Sequence, residues 1–193
     1  MMRNVWRATV ATVILAVLTG LVYPLVMTGF AQAVFHGKAE GSIVTVDGKP
    51  VASRLIGQKW SGPQWFYGRP SAIDYDASTS SGSNLGPLSA DLVKAIADRA
   101  AAIMKVEGPY VPGLTVAKIP SDLLLASASG LDPDISPEAA FFQVPRIAKA
   151  RHLSEDRVRQ LIQAQVERRI FGLLGEPRVN VLRLNLALDQ VTS

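Results

Sequence analysis

The chain opens with a long apolar run and then changes to short apolar stretches separated by turns. Residues 8–37 contain no Asp, Glu, Lys or Arg, and residues 8–27 are predominantly apolar. About 20 such residues, at about 1.5 Å per residue, cross a hydrocarbon core about 30 Å thick. The pattern predicts a transmembrane helix over residues 8–34, and Pro24 predicts a kink within it.

A cleaved signal peptide is the competing interpretation of this segment. Ala31-Gln32-Ala33 fits the small-residue cleavage pattern, but signal peptides have apolar regions of about 7–15 residues. We therefore favour a permanent anchor. Arg3 and Arg7 precede the helix, and the positive-inside rule then predicts that residues 1–7 are cytoplasmic. Residues 35–193 are expected to form an extracytoplasmic domain, periplasmic if the anchor lies in the inner membrane of a two-membrane cell.

The first part of this outer region has the pattern of a β-hairpin. Residues 43–46 and 51–56 are predicted strands that flank Asp47-Gly48. Asp-Gly favours a two-residue hairpin turn, because both central positions of that turn need a positive φ. Residues 57–87 are rich in Gly, Pro, Ser and aromatic residues and have no sustained periodicity, which predicts an irregular loop region.

Three helices are indicated after the loop region by capping residues and apolar periodicity. One follows Ser89 and stops near Gly108. A second begins at Ser136-Pro137 and is interrupted by Pro145, which lacks an N–H donor. A third follows Ser154, with an apolar face that continues to Ile170 before Gly172 and Gly175.

The end of the chain has a different periodicity. In residues 182–188 leucines alternate with Arg183, Asn185 and Ala187, which is the period of a half-buried strand. Together these elements predict an α+β fold, with a single N-terminal transmembrane helix followed by one extracytoplasmic α+β domain.

Composition limits the classes of partner and chemistry. The 193 residues allow one modest domain plus the anchor. Arg3 and Arg7 contribute to a net charge of +4, and 20 basic residues face 16 acidic ones. The basic residues at positions 146–169 are diluted by acids and are interpreted as a solvated helix surface. Without a sustained basic stripe, nucleic acid is not an expected partner.

The sequence offers no evident catalytic residues and no metal site. His36 and His152 are far apart, and there is no cysteine. The phosphate-binding loop pattern that ends in Gly-Lys-Ser/Thr is also missing. Asp132 and Asp134 could bind a cation, but we favour a role in stabilising the helix that begins at Pro137.

Two groups of residues are candidates for binding. The first is a Gly/Ser cluster that could expose backbone N–H groups to a nucleotide or another anion, although such residues also form ordinary turns. It comprises Ser81, Gly82, Ser83, Asn84 and Gly86. The second comprises candidate partner contacts, in which the aromatics could equally form a small core beneath the loop: Pro24, Trp65, Phe66, Tyr67 and Arg69.

Several strings in a fixed order show a family resemblance over essentially the whole chain. The chief ones are Phe66–Ala72, Ser81–Pro87, Ala126–Pro133 and Leu174–Val181. Because of these strings, the chain resembles the C-subunit family of the Kdp potassium-transporting ATPases. The resemblance implies a non-catalytic accessory subunit with no cofactor of its own, in a membrane complex with a K⁺-translocating subunit and an ATP-hydrolysing P-type ATPase subunit. These partners handle K⁺ and ATP.

The resemblance also implies a role in high-affinity K⁺ uptake, in which the subunit stabilises assembly and raises the ATP affinity of the ATPase subunit as a catalytic chaperone. Family members are also viewed as using the Ser/Gly stretch like an ABC-transporter signature, but Ser81–Asn84 lacks its paired glycines and glutamine. If the N-terminus is cytoplasmic, any effect on ATP must be relayed across the membrane. The alternative is a membrane-anchored periplasmic protein that binds a small ligand at Ser81–Gly86.

Overall fold

The computed structural model describes residues 1–191, in which helices are combined with short strands. The chain divides into two compact units, one of residues Met1–Ser53 and one that begins at Arg54. An N-terminal apolar helix precedes a small domain of helices and strands, and the predicted α+β class is confirmed.

The first unit begins with a continuous apolar helix of 33 residues, Met2–Val34. It consists of α1 (Met2–Val17), a π-helical turn (Leu18–Val22) and α2 (Tyr23–Val34). None of these residues is buried within the chain. At about 1.5 Å per residue the helix is about 50 Å long, more than a hydrocarbon core requires. The chain is therefore a single-pass, membrane-anchored protein.

The π turn accounts for the disruption that Pro24 predicts. Proline has no N–H to donate to the carbonyl four residues earlier, and its ring crowds the preceding turn. The N–H of Tyr23 donates to the carbonyl of Leu18, five residues before it. The helix thus accommodates Pro24 by widening one turn on its N-terminal side.

A short helix and a hairpin complete the first unit. These elements are α3 (His36–Ala39), β1 (Ile43–Val46) and β2 (Lys49–Ser53). The strands are antiparallel, with Val46 opposite Lys49. Asp47 and Gly48 have φ of 50° and 73°, which confirms the predicted turn. The second strand ends at Ser53 and does not reach residue 56.

The second unit contains six helices, one 3₁₀ turn and three short strands among its described residues. Its helices are α4 (Ala90–Glu107), α5 (Ser121–Leu124), α6 (Pro137–Phe142), α7 (Val144–Arg151), α8 (Glu155–Gln165) and α9 (Val181–Asp189). Its strands are β3 (Asp134–Ile135), β4 (Val166–Glu167) and β5 (Arg178–Asn180), and its 3₁₀ turn is Val116–Lys118. The strands form an antiparallel sheet in the order β3-β5-β4. Residues 57–87 contain no helix or strand, as the sequence predicts.

The core lies between the sheet and helices α6 to α9. Ser136 caps α6 by accepting a hydrogen bond from the N–H of Ala139, and a break at Gln143, two residues before Pro145, separates α6 from α7. This start and this interruption confirm the sequence prediction. The fully buried side chains include Phe66, Val144, Ile147, Val158, Ile162, Val179, Leu184 and Leu188.

The predicted strand at residues 182–188 is wrong, because these residues form helix α9. The side chain of Asn180 accepts a hydrogen bond from the N–H of Arg183 and so caps the helix. Val181, Leu184 and Leu188 are buried at helical spacing. Leucine favours helices. Leu184 and Leu188 are four residues apart, and together with Val181 they lie on one face of a helix with 3.6 residues per turn.

The third predicted helix is shorter than its apolar face suggests. Ser154 caps it as predicted, by accepting from the N–H of Arg157, but α8 ends at Gln165. Val166 and Glu167 do not continue the helix but pair with β5. This pairing provides partners for backbone N–H and C=O groups that would otherwise be bonded within a longer helix. Ile170, predicted on the buried face, is 57% exposed.

We predict that Leu184→Ala lowers the free energy of unfolding by about 2–5 kcal/mol, since it leaves a cavity in the core. Leu88→Ala is the matched control because Leu88 is 98% exposed, and its effect should stay within about 0.5 kcal/mol. Urea unfolding of the full chain in mild detergent measures both. Equal effects of the two substitutions would contradict the core assignment.

Candidate functional site

The aromatic segment Trp65–Tyr67 is held by side chains from distant helices. The N–H of Phe66 donates to Oδ1 of Asn185 at 2.9 Å, and Nδ2 of Asn185 donates to the carbonyl of Phe66 at 3.0 Å. Asn185 is fully buried in α9. One side-chain amide thus satisfies both backbone groups of a residue that has no strand partner.

Gln143 repeats this arrangement one residue further along the loop. Its Oε1 accepts from the N–H of Tyr67 at 2.8 Å, and its Nε2 donates to the carbonyl of Tyr67 at 3.1 Å. Gln143 is 1% exposed and lies between α6 and α7, where Pro145 interrupts the helical path. The interruption therefore places the amide against the aromatic segment.

Arg146 joins the same segment to helix α4. Its Nε donates to Oε1 of Glu107 at 2.7 Å, and its Nη2 donates to Oε1 of Gln143 at 2.7 Å. Nη1 donates to the carbonyls of Pro63 and Trp65. The guanidinium lies 4.2 Å from the centre of the Tyr67 ring, an arrangement that favours a cation over an aromatic face.

The Arg146–Glu107 pair is almost wholly removed from water, with side-chain exposures of 0% and 3%. Burial raises the pKa of the Glu107 carboxyl, while the charge of Arg146 and its hydrogen bond lower that pKa in part. The sequence interpretation of Arg146 as one of several solvated bases is wrong, because its side chain is fully buried. Its five N–H groups match a carboxylate and several carbonyls, which explains why arginine is buried here.

The candidate partner contacts differ in accessibility. Phe66 is fully buried in the core, so its side chain has the core role that the sequence left open and is not exposed to a partner. Trp65 is half-buried, 4.3 Å beneath the guanidinium of Arg151, and its ring is 5.2 Å from that of Trp60. Tyr67 is also half-buried. Pro24 lies in the exposed anchor helix of the other unit.

Arg69 continues the segment and forms an ion pair. Its Nη1 lies 3.0 Å from Oδ2 of Asp132, and both side chains are somewhat more than a quarter exposed. The hydroxyl of Tyr75 donates to the Arg69 carbonyl. Burial, and secondarily the charge of Asp132, raises the pKa of Tyr75 to about 12. Tyr75 therefore acts as a hydrogen-bond donor at neutral pH.

Asp132 and Asp134 lie just before helix α6 and have partners of their own. Asp132 accepts from the N–H of Asp134, and Asp134 forms an ion pair with Arg178 at 3.1 Å. The carboxylate of Asp122 also supports the start of α6, by accepting from the N–H of Ser136 at 2.7 Å. The electrostatic effect of Asp132 and Asp134 on the helix start stays a prediction.

The Gly/Ser cluster lies along a second serine-rich segment. Ser80 Oγ donates to the carbonyl of Ser129, and a Cβ at Gly82 would lie 2.7 Å from the carbonyl oxygen of Ala128. The hydroxyl of Ser81 donates to the carbonyl of Gly82. This packing requires glycine at position 82, and it places the cluster on a fixed backbone.

The remaining members of the cluster lie on the surface. Ser83, Asn84 and Gly86 are exposed, Asn84 has a φ of 53°, and the carbonyl of Gly86 accepts from the N–H of Ser89. These features are those of turns before α4. The cluster and the aromatic segment are thus two neighbouring features of the loop region that the sequence singled out separately.

The residues that hold the aromatic segment were not predicted as a group. In the sequence, Gln143 is a polar residue just before the interruption of the second predicted helix, and Asn185 is a polar position of the predicted strand. Glu107 is the last acid of α4. The sequence signal that could have found such residues is a polar residue within a run of apolar ones, such as Asn185 between Leu184 and Leu186. That signal marks a buried polar group but does not reveal its partner.

The fold and this arrangement define a class: a single-span membrane protein whose small α+β domain carries an ordered aromatic loop region. The sequence matches the family described as the K⁺-transporting ATPase, c chain (KdpC), over residues 5–190. The chain belongs to this family.

Relatives of similar length share about half of their residues with this chain. It is 53% identical to a Methylobacterium nodulans protein, over 99% of this chain and 98% of the relative. It is 48% identical to one from Bradyrhizobium diazoefficiens over the whole of both chains, and 50% identical to one from Acidobacterium capsulatum over 98% and 100%. Each relative is named as a potassium-transporting ATPase KdpC subunit.

We predict that Arg146→Met lowers the free energy of unfolding by about 3–5 kcal/mol at neutral pH, because Glu107 would keep a buried charge without its partner. The loss should shrink as pH falls. The ordinary pKa of Glu107 is 4.5 and burial raises it in the folded state, so the folded chain retains this proton to higher pH than the unfolded chain. Its contribution to stability is therefore present at low pH and is lost as pH rises from about 4.5 through the raised folded pKa. Without Arg146 that pKa rises further.

Urea unfolding of the full chain from neutral pH down to about 4.5 measures this dependence. The double substitution Arg146→Met with Glu107→Leu serves as the control, because it removes both charges and should recover much of the loss. A loss that is independent of pH, or that the second substitution does not relieve, would overturn the electrostatic account.

Two glycines of the cluster give a matched comparison. Gly82→Ala should destabilise the chain by about 1–3 kcal/mol, because its Cβ would meet backbone atoms of Ala128. Gly86→Ala should change stability by no more than about 1 kcal/mol, since nothing lies within 4 Å of that Cβ. The urea unfolding midpoints of the two variants measure this difference. A larger loss of stability for Gly86→Ala than for Gly82→Ala would refute the described packing of Gly82 against Ala128.

Proposed function

We propose that this chain is a non-catalytic accessory subunit of a high-affinity, ATP-driven K⁺ uptake complex. In this proposal it stabilises the assembly of a K⁺-translocating subunit with an ATP-hydrolysing P-type subunit, and both K⁺ and ATP are handled by those partners. Its family membership supports this role, because the relatives are named as subunits of a potassium-transporting ATPase. The buried polar network described above supports a scaffold, since Asn185, Gln143 and Arg146 bond to the backbone of the loop they hold.

The anchor helix is the observation that carries the proposal. All 33 residues lie outside any core of this chain. The helix is longer than a lipid anchor needs, and Pro24 gives it a π turn at a defined position. In lipid, helices associate through close packing, and Ala16 and Gly20 provide a small-residue spacing on this helix for such contact. We infer that the helix packs against spans of the partner subunits.

The outer domain supplies the second contact in this proposal. Trp65, Tyr67 and Arg69 are partly exposed on a backbone that buried side chains fix in place. Aromatic and arginine side chains are the types that most often dominate binding energy at protein interfaces. We infer that they face the K⁺-translocating subunit on the outer side of the inner membrane, with residues 1–7 in the cytoplasm.

An increase in ATP affinity is part of the proposal but needs no direct nucleotide contact by this chain. With Arg3 and Arg7 inside, the positive-inside rule places the Gly/Ser cluster on the opposite side from cytoplasmic ATP. The effect then arises as coupling, in which this subunit favours the ATP-binding conformation of the ATPase subunit. Ligand capture at Ser81–Gly86 is not needed to explain that effect.

The test separates anchoring from specific helix packing. Residues 8–34 are replaced by a span of leucine and alanine that retains Arg3 and Arg7, and affinity purification from membranes is compared with the natural chain. We expect both proteins in the membrane fraction, but at least a tenfold lower recovery of the other ATPase subunits with the substituted span, since a tenfold change needs only about 1.4 kcal/mol.

A substitution at an exposed residue of the outer domain, Leu88→Ala, is the control and should leave recovery unchanged, because Leu88 lies outside both proposed contacts. If the natural chain recovers no partner subunits, the accessory role is wrong. If the leucine and alanine span recovers them fully, the helix is only an anchor and the outer domain makes the contact.

A further inference from the structure

A tight turn closes the connection between strands β4 and β5. The N–H groups of Leu173 and Leu174 donate to the carbonyl of Ile170, and the N–H of Ile170 donates to the carbonyl of Leu174 at 2.9 Å. Phe171 and Gly172 have φ of 53° and 74°. A left-handed conformation is unusual for a bulky residue such as Phe171, and here it is held by the turn.

Four large apolar side chains project from this turn, and we call them the apolar tip. Ile170 is 57% exposed, Phe171 91%, Leu173 78% and Leu174 63%. Single exposed apolar residues are common on proteins, but a contiguous exposed set marks an interaction site. Exposures this high also mean that the tip protrudes, because its side chains make few contacts with the rest of the domain.

The base of the tip is polar and braced by ion pairs. Arg169 lies 2.6 Å from Glu176, and Glu167 pairs with both Arg178 and Arg183. Arg168 is exposed next to this base. The segment therefore combines a protruding apolar end with a polar base that carries the exposed cation Arg168, an arrangement suited to the boundary between acyl chains and headgroups.

We propose that the apolar tip inserts into the headgroup and acyl-chain boundary of the bilayer that holds the chain's own helix. Nineteen residues, 35–53, connect the end of α2 at Val34 to Arg54, and even fully extended they span no more than about 65 Å. The linker thus limits the distance between Arg54 and the end of the anchor helix to about 65 Å.

Lipid fits the tip better than a protein groove would. A bilayer accepts a protruding apolar end without a matching cavity, and the exposed Arg168 complements anionic headgroups. Insertion would give the domain a second attachment to the membrane, separate from the helix. This inference does not depend on the proposed accessory role.

The test uses the absence of cysteine from the chain. Phe171→Cys and Leu173→Cys each receive a nitroxide spin label in the full-length protein, which is reconstituted alone in vesicles of phosphatidylethanolamine and phosphatidylglycerol. Val116→Cys is the matched control, because Val116 is 52% exposed on the 3₁₀ turn of the same unit. Power saturation compares collisions with apolar oxygen and with a water-soluble nickel complex.

We expect the ratio of oxygen to nickel collisions to be several-fold higher at positions 171 and 173 than at 116, because oxygen is enriched in lipid. Urea midpoints close to that of the natural chain would show that labelling leaves the fold intact. Ratios equal to that of position 116 would place the tip in water and overturn the proposal. Labels that are in water in the chain alone, and shielded from both reagents only when the other ATPase subunits are added, would also overturn it and would identify the tip as a protein contact.

Discussion

The buried ion pair between Arg146 and Glu107 links two helices and the loop region of the second unit by polar contacts within their shared core. It connects helix α7 to helix α4 and reaches the backbone of the loop region between them. Removing two charges from water costs several kcal/mol per ion. The structure offsets that cost with hydrogen bonds from the guanidinium to the carboxylate, to an amide oxygen and to two carbonyls.

The aromatic segment Trp65–Tyr67 is held partly through this pair and partly by Asn185. Arg146 fixes Gln143 by a hydrogen bond to its amide oxygen, and Gln143 in turn satisfies both backbone groups of Tyr67. Asn185 does the same for Phe66. A segment without helix or strand is therefore ordered by side chains that take the place of a neighbouring strand, and the Phe66 ring can be part of the core.

Much of the architecture was predictable because local chemistry decides it. Caps at Ser136 and Ser154, the interruption at Pro145 and the turn at Asp47-Gly48 each depend on a few neighbouring residues. The strand predicted at 182–188 failed, since alternate leucines fit both periods and only the cap from Asn180 and burial of Val181 favour a helix. Arg146 could not be assigned to the interior, because its carboxylate and carbonyl acceptors are 39 to 83 residues away.

The hydrogen bonds from Asn185 to Phe66 and from Gln143 to Tyr67 have a consequence for recognition by a partner protein. Ordering a flexible loop when two proteins meet removes conformational freedom, and that loss subtracts from affinity. Here the backbone of Trp65–Tyr67 loses its freedom when the chain folds, because Asn185, Gln143 and Arg146 already bond to it. A partner that contacts the exposed parts of Trp65 and Tyr67 therefore meets a preorganised surface and binds with little further entropic loss.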